Sequence, residues 1–156
     1  MKKVRLFALA LASLFLLALL TTESSFLPGH VAHAASACQT SPSDANCNGQ
    51  DPVATGCGND GTTLLSIPVS TGTVAVRYSP TCQSAWAHTT NGTVVTLQAT
   101  ITRYPGSPSY SSSFVQATGV KSPLVYIGGH QGVQACGYVG NANGIGGTSK
   151  CTTHRH

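Results

Sequence analysis

In "TVVTLQATITRY", Val95, Leu97, Ala99 and Ile101 fall on one face of an extended chain and Thr96, Gln98, Thr100 and Thr102 on the other. That period of two predicts a half-buried antiparallel strand. "TVAVRYS" repeats the pattern, with Val74, Val76 and Tyr78 set against Ala75 and Arg77. "TLLSIPVS" is predicted as an edge strand, because Pro68 has no N–H to give to a ladder. Three more stretches, "SSFVQATG", "PLVYIGG" and "GVQACGYVG", are separated by Gly, Pro and Ser and read as further strands. No segment of this region sustains an apolar period of 3.6. The expected fold is therefore all-β: a small antiparallel sandwich or barrel.

Two regions break the alternation. From Cys38 to Gly61 the chain is Asn, Asp, Gly, Ser and Pro with three cysteines, which predicts a loop-rich region held by disulfides rather than by a core. In "RYSPTCQSAWAH", Ser79 is a good helix N-cap and Pro80 suits the first helical position. One short helical turn there would set Cys82 and Trp86 at i and i+4 on one face. The single tryptophan then has two readings, a ring packed over a disulfide or an exposed platform for a ligand. The Gly-rich tail from Asn141 to His156 has one reason to be ordered, Cys151.

Lys2, Lys3 and Arg5 precede an apolar run from Leu6 to Leu20. That run is shorter than the roughly 20 residues needed to span a bilayer, so residues 1–34 read as a secretory signal. Cleavage is expected after Ala34, with Ala37 as the second candidate. Residues 35–156 then form one domain, expected to be secreted and associated, in one alternative, with the cell envelope. All six cysteines lie in it: Cys38, Cys47, Cys57, Cys82, Cys136 and Cys151. An even count in a small secreted domain predicts up to three disulfides with the pairing left open. The absence of a Cys-x-x-Cys pair argues against zinc.

Beyond residue 35 the charges are Arg77, Arg103, Lys121, Lys150 and Arg155 against Asp44, Asp51 and Asp60, five against three, a net +2. Such a balance argues against a nucleic-acid partner. This region has no Glu, which leaves few carboxylates for glycoside hydrolysis. Asp51 before Pro52 reads as a turn residue. A Ser-His-Asp hydrolase would draw on Asp51 with His88 or His130, but no G-x-S-x-G elbow marks a nucleophile. "DANCNG" matches the first half of a calcium loop through Asp44, Asn46 and Asn48, yet the twelfth position is Thr55 where such loops carry Glu. The terminal His154 and His156 could hold a soft metal. Neither a catalytic residue nor a cofactor is assigned. Tyr104 and Tyr110 flank a Pro-Gly-Ser-Pro loop and, with Trp86, Arg77 and His88, are the candidates for contact with a cell-wall or polysaccharide ligand.

The segment "CNGQDPVATGC" (Cys47–Cys57), followed by "TVAVRYSPTCQSAWAH" (Thr73–His88), resembles the YjfA-like family of secreted bacterial proteins, a domain of unknown function. The likeness runs over residues 47–88 and consists of C-x-G-x-D-P and a second Cys, then a strand ending R-Y-S, then Cys, Trp and Ala. One position departs: the residue after Trp-Ala is basic in that family, and here it is His88, positively charged only at acidic pH. The resemblance implies a secreted domain and supplies no activity. The expectation is thus a non-enzymatic, monomeric extracellular binding module. A small hydrolase and a secreted inhibitor or effector remain the alternatives.

Overall fold

The computed structural model describes residues 35–153 except 106, 129–131 and 144. His130, His154, His156 and the whole of segment 1–34 lie outside the described residues. The chain separates into two units, Met1–His33 and Ala34–His156, and the described residues belong to the second.

Eight strands form one antiparallel sheet: β1 (Thr62–Val69), β2 (Gly72–Ser79), β3 (Ser84–Arg103), β4 (Ser109–Ser111), β5 (Val115–Lys121), β6 (Val125–Tyr126), β7 (Val133–Gly140) and β8 (Gly147–Cys151). The order is β1-β2-β3-β7-β8, with β4, β5 and β6 also paired to β3. As the sequence predicts, the Pro68 strand is an edge, and Val95, Leu97, Ala99 and Ile101 are buried while the threonines between them are half-exposed.

β3 organises everything else. Its first half pairs with β2 from Ser84 to Asn91, and its second half pairs with β7 from Leu97 to Arg103. Between them the register against β5 is interrupted from Thr90 to Val95, and the strand bends. The bend lays one half over the other, so that Thr89 Oγ1 donates to the carbonyl of Gln98 at 3.0 Å. The sheet rolls up into a nearly closed barrel in which β1 approaches β7 and β8. Val74, Val76, Ala85 and Ala87 of one half meet Leu97, Ala99, Ile101, Val133, Ala135 and Val139 of the other. Packing is tight enough to demand a glycine: a Cβ at Gly137 would lie 2.6 Å from Thr89 Oγ1 and 2.7 Å from Val74 Cβ.

The stretch predicted to be helical is a hairpin instead. Ser79 and Ser84 close the β2–β3 pairing, and Pro80–Gln83 make the turn, with Gln83 at φ 47. Ser79 does cap, but it caps this turn, accepting from Cys82 N at 3.1 Å. Helical structure lies in the cysteine-rich region, as α1 (Ala37–Thr40) and α2 (Asp44–Cys47), N-capped by Ser36 and Ser43. The disulfides are Cys38–Cys47, Cys57–Cys82 and Cys136–Cys151, and no described cysteine is free. The last joins directly opposed residues of β7 and β8, which accounts for order in the tail.

Asp60 fastens the cysteine-rich region to this hairpin. Ser79 Oγ donates to its Oδ1, and Thr81 N donates to its Oδ2 at 2.9 Å. Burial alone would raise its pKa, but these hydrogen bonds prevail and the carboxyl titrates below its ordinary 3.8. Ionised Asp60 therefore stabilises the fold above pH 3.8, and that contribution is lost as the pH falls from there through the lower folded value. Asp60→Ala is expected to lower the unfolding free energy by about 1–2 kcal/mol at neutral pH. Urea titrations at pH 7 and pH 3 check this, and the gap between variant and wild type must shrink in acid.

Candidate binding surface

Trp86 is 1% exposed. It pairs with Arg77 across β2–β3, so the indole shares a face with Arg77 and, by the period of two, with His88. That face points away from the barrel interior, which is filled by Ala85 and Ala87. The indole is nevertheless covered, because the cysteine-rich region folds over it as a cap. Cys38, Cys47, Cys57, Cys82 and Leu124 form a second core around it, with Tyr126 at the margin. A Cβ at Gly61 would run into the ring, so only glycine lets the cap chain pass there. Trp86 Nε1 is buried without a hydrogen-bond partner among the described residues. The exposed-platform reading is thus corrected: an indole under two disulfides has no free face. The staple reading holds in substance, although a hairpin turn brings Cys82 to Trp86 where a helix was expected.

Cys57 Sγ approaches Cys38 Sγ at 3.6 Å, and the sulfurs of Cys38, Cys57 and Cys82 lie within 4.8 Å of one another. All three are committed to disulfides and carry no thiolate charge with which to bind a metal.

The tyrosines are not free loop tips either. Tyr104 N donates to Gly132 O at 2.7 Å and its hydroxyl to Gln134 Oε1 at 3.3 Å. Tyr110 is half-buried against the barrel core and touches the cap, where its ring would meet a Cβ at Gly49 at 3.4 Å.

The calcium-like string forms the single turn of α2, and its side chains are spent on the protein. Asp44 Oδ1 accepts from Arg103 and, at 2.9 Å, from Asn48 Nδ2. Asn48 Oδ1 accepts from Tyr126 N at 2.7 Å, and Asn46 Nδ2 donates to Ser41 O. The bond from Arg103 holds the Asp44 carboxyl below the ordinary carboxylate value against a slight effect of burial, with Asn48 adding to it. These bonds occupy the side-chain oxygens of Asp44 and Asn48 that a calcium ion would need. Asp51 behaves as its Pro52 neighbour predicts. Its Oδ1 accepts from Val53 N at 2.7 Å and Ala54 N at 2.9 Å. Among the described residues, no serine, His88 and Asp51 are joined in one hydrogen-bonded set.

What the sheet does assemble is basic. Arg77 and His88 share the outer face beside the cap, and β5 adds Lys121 directly opposite His88. The Arg77 guanidinium is fixed by Thr63 Oγ1 at 2.9 Å and by the carbonyl of Gly61. His88 is half-buried over Gly119, and Nε2 lies 3.4 Å from where a Cβ would stand there, an ordinary contact distance. Burial first, then the charges of Lys121 and Arg77, depress its pKa below 6.5, so it is neutral at pH 7. No acid answers these charges among the described residues: Asp44 is taken by Arg103, Asp51 by its own turn and Asp60 by Ser79 and Thr81. Lys121 was invisible as a partner in the sequence, since only the pairing register brings it to His88.

No curated protein and no solved structure matches this chain. A family model described as a protein of unknown function, DUF2690, matches residues 45–136. The matched segment holds Arg77, Trp86, His88 and Lys121, and of the disulfides it contains Cys57–Cys82 entire. With more than half of its length matched, the chain belongs to the DUF2690 family.

Proposed function

We propose that this is a secreted, envelope-associated binding module that works without catalysis, and that it meets its ligand through the outer face formed by Arg77, His88 and Lys121. The observation that carries the reading is an unbalanced cluster of basic side chains in a domain whose described acids are all engaged elsewhere. Secretion is supported by the basic and apolar N-terminal run and by three disulfides. The likeness to YjfA-like secreted proteins points the same way.

The ligand class follows from the charge and its exposure. Half-exposed ionic contacts are worth under about 1 kcal/mol each, so one small anion would be held weakly. A polymer with repeating phosphate or carboxylate groups brings several anions within reach of Arg77, His88 and Lys121 at once and raises the local anion density at the face. An anion seated on the face raises the pKa of His88, so binding tightens as the pH falls below the ordinary histidine range.

Cosedimentation with isolated bacterial cell walls, before and after extraction of their anionic polymers, tests the reading. Wild type is expected in the pellet of intact walls only, and to be released by salt. The double variant Arg77→Ala/Lys121→Ala loses about tenfold in affinity while keeping wild-type Trp86 emission. His88→Lys binds at pH 7.5 as well as at pH 5.5. Unchanged pelleting of the double variant would exclude this face.

A further inference from the structure

A second site lies at one end of the barrel and is lined by none of the residues of the basic face. Three chain reversals converge there: the β1–β2 turn with Ser70 and Thr71, the bend of β3 with Asn91, Gly92 and Thr93, and the start of the β7–β8 turn with Asn141 and Ala142. They enclose an open cavity of about 320 Å³, floored by Val95 and Gly140. We infer that this cavity binds a neutral sugar ring.

Its chemistry selects the ligand. Among the described residues none of those lining it carries a charge. An anion or cation would be desolvated there without a counter-charge. A purely apolar ligand would strand the hydroxyl of Ser70 and the amide oxygen of Asn141. A pyranose ring matches both kinds of surface. Its C–H face suits Val95, Ala142 and the bare backbone of Gly92 and Gly140, and its hydroxyls donate and accept as the lining requires. The volume is at the low end of the range for small-ligand pockets, roughly 300–1,000 Å³, which suits one or two rings.

The walls are held in place before any ligand arrives. Asn91 is 9% exposed; its Oδ1 accepts from Thr71 Oγ1 at 2.8 Å, and its Nδ2 donates to the carbonyl and hydroxyl of Thr93, both at 3.1 Å. One carboxamide thus locks the turn to the bend. Asn141 is fixed by its bond from Nδ2 to Ile145 O at 2.7 Å, which leaves its Oδ1 to accept from a ligand. Ser70 has φ 52, a left-handed conformation in which glycine would be relaxed. Its hydroxyl has no hydrogen-bond partner among the described residues. The positive φ is what the two-residue turn between Val69 and Gly72 calls for, and it leaves the exposed Ser70 hydroxyl at the cavity mouth, available to a ligand.

Amide chemical shifts of the disulfide-intact domain, titrated separately with maltotriose, cellotriose, chitotriose and an oligoglucuronate, test the inference. Saturable shifts from at least one neutral trisaccharide, confined to residues 70–71, 91–95 and 140–142 and indifferent to salt, are expected. Ser70→Gly relieves the backbone and so keeps the fold, yet it weakens that binding about fivefold through loss of one hydrogen bond. Ala142→Trp, on an exposed turn, fills the cavity and abolishes it. Arg77→Ala/Lys121→Ala leaves it unchanged, so this site and the basic face fail or survive separately. Shifts from none of the neutral sugars, from the oligoglucuronate alone, or surviving Ala142→Trp would overturn the assignment.

Discussion

Replacing Trp86 with alanine is expected to lower the unfolding free energy by about 3–5 kcal/mol, the range for emptying a large aromatic site in a core. The cap has little else to hold it by hydrophobic contact. Its two helices are one turn each, and the buried apolar residues it brings to the ring are the half-cystines Cys38, Cys47 and Cys57. The loss should therefore show first as loosening of the cap, with the β circular dichroism retained, and then as an earlier global transition in urea. Trp86→Phe is expected to cost less than about 2 kcal/mol. Phenylalanine keeps most of the contact and removes the buried Nε1, which has no partner and penalises the folded state. An alanine variant with the wild-type midpoint would mean that the disulfides alone hold the cap.

Removing Cys57–Cys82 as a paired alanine variant should come next in size. Its half-cystines are 25 positions apart, against 9 for Cys38–Cys47 and 15 for Cys136–Cys151. Loop-closure entropy in the unfolded chain then assigns it about 3.5 kcal/mol, compared with about 2.6 and about 3.0 for the others. It is also the one disulfide among the described residues that joins cap to barrel, because Cys38–Cys47 closes within the cap and Cys136–Cys151 within the β7–β8 pair. Guanidinium midpoints of the three paired variants should fall in that order. If the Cys136–Cys151 variant proves the least stable, the cap contributes less than its packing implies.

Alternation was readable wherever one face of a strand met the barrel core and the other met water, as in Thr93–Arg103 and in β2. The first half of β3 has no such contrast. Ala85 and Ala87 face the core, Trp86 faces the cap, and all three are buried, so the stretch carries no polar face to reveal its period. With a Ser-Pro pair ahead of it, local propensity favoured a helix, and pairing with β2 on one side and β5 and β6 on the other overrode it. β8 was equally hidden, since "GTSKC" has no apolar residue before the cysteine that ties it to β7. The basic face was half legible: Arg77 and His88 stood out by type, but Lys121 joined them only through register. The barrel-end cavity was illegible, because residues from two turns and a strand bend far apart in the chain have no common signal in sequence.

The double role of β3 sets how this molecule comes apart. A single uninterrupted strand gives its first half to β2 and its second half to β7, so neither layer can peel away while the other stays paired. There is no stable half-structure for the backbone to fall back on. Amide protons of Val76, in one layer, and Leu97, in the other, then exchange with deuterium by the same rare event, the opening of the whole barrel. A protease working on the native population must wait for that event too. Resistance to proteolysis is then set by the long strand rather than by the turns that surround it.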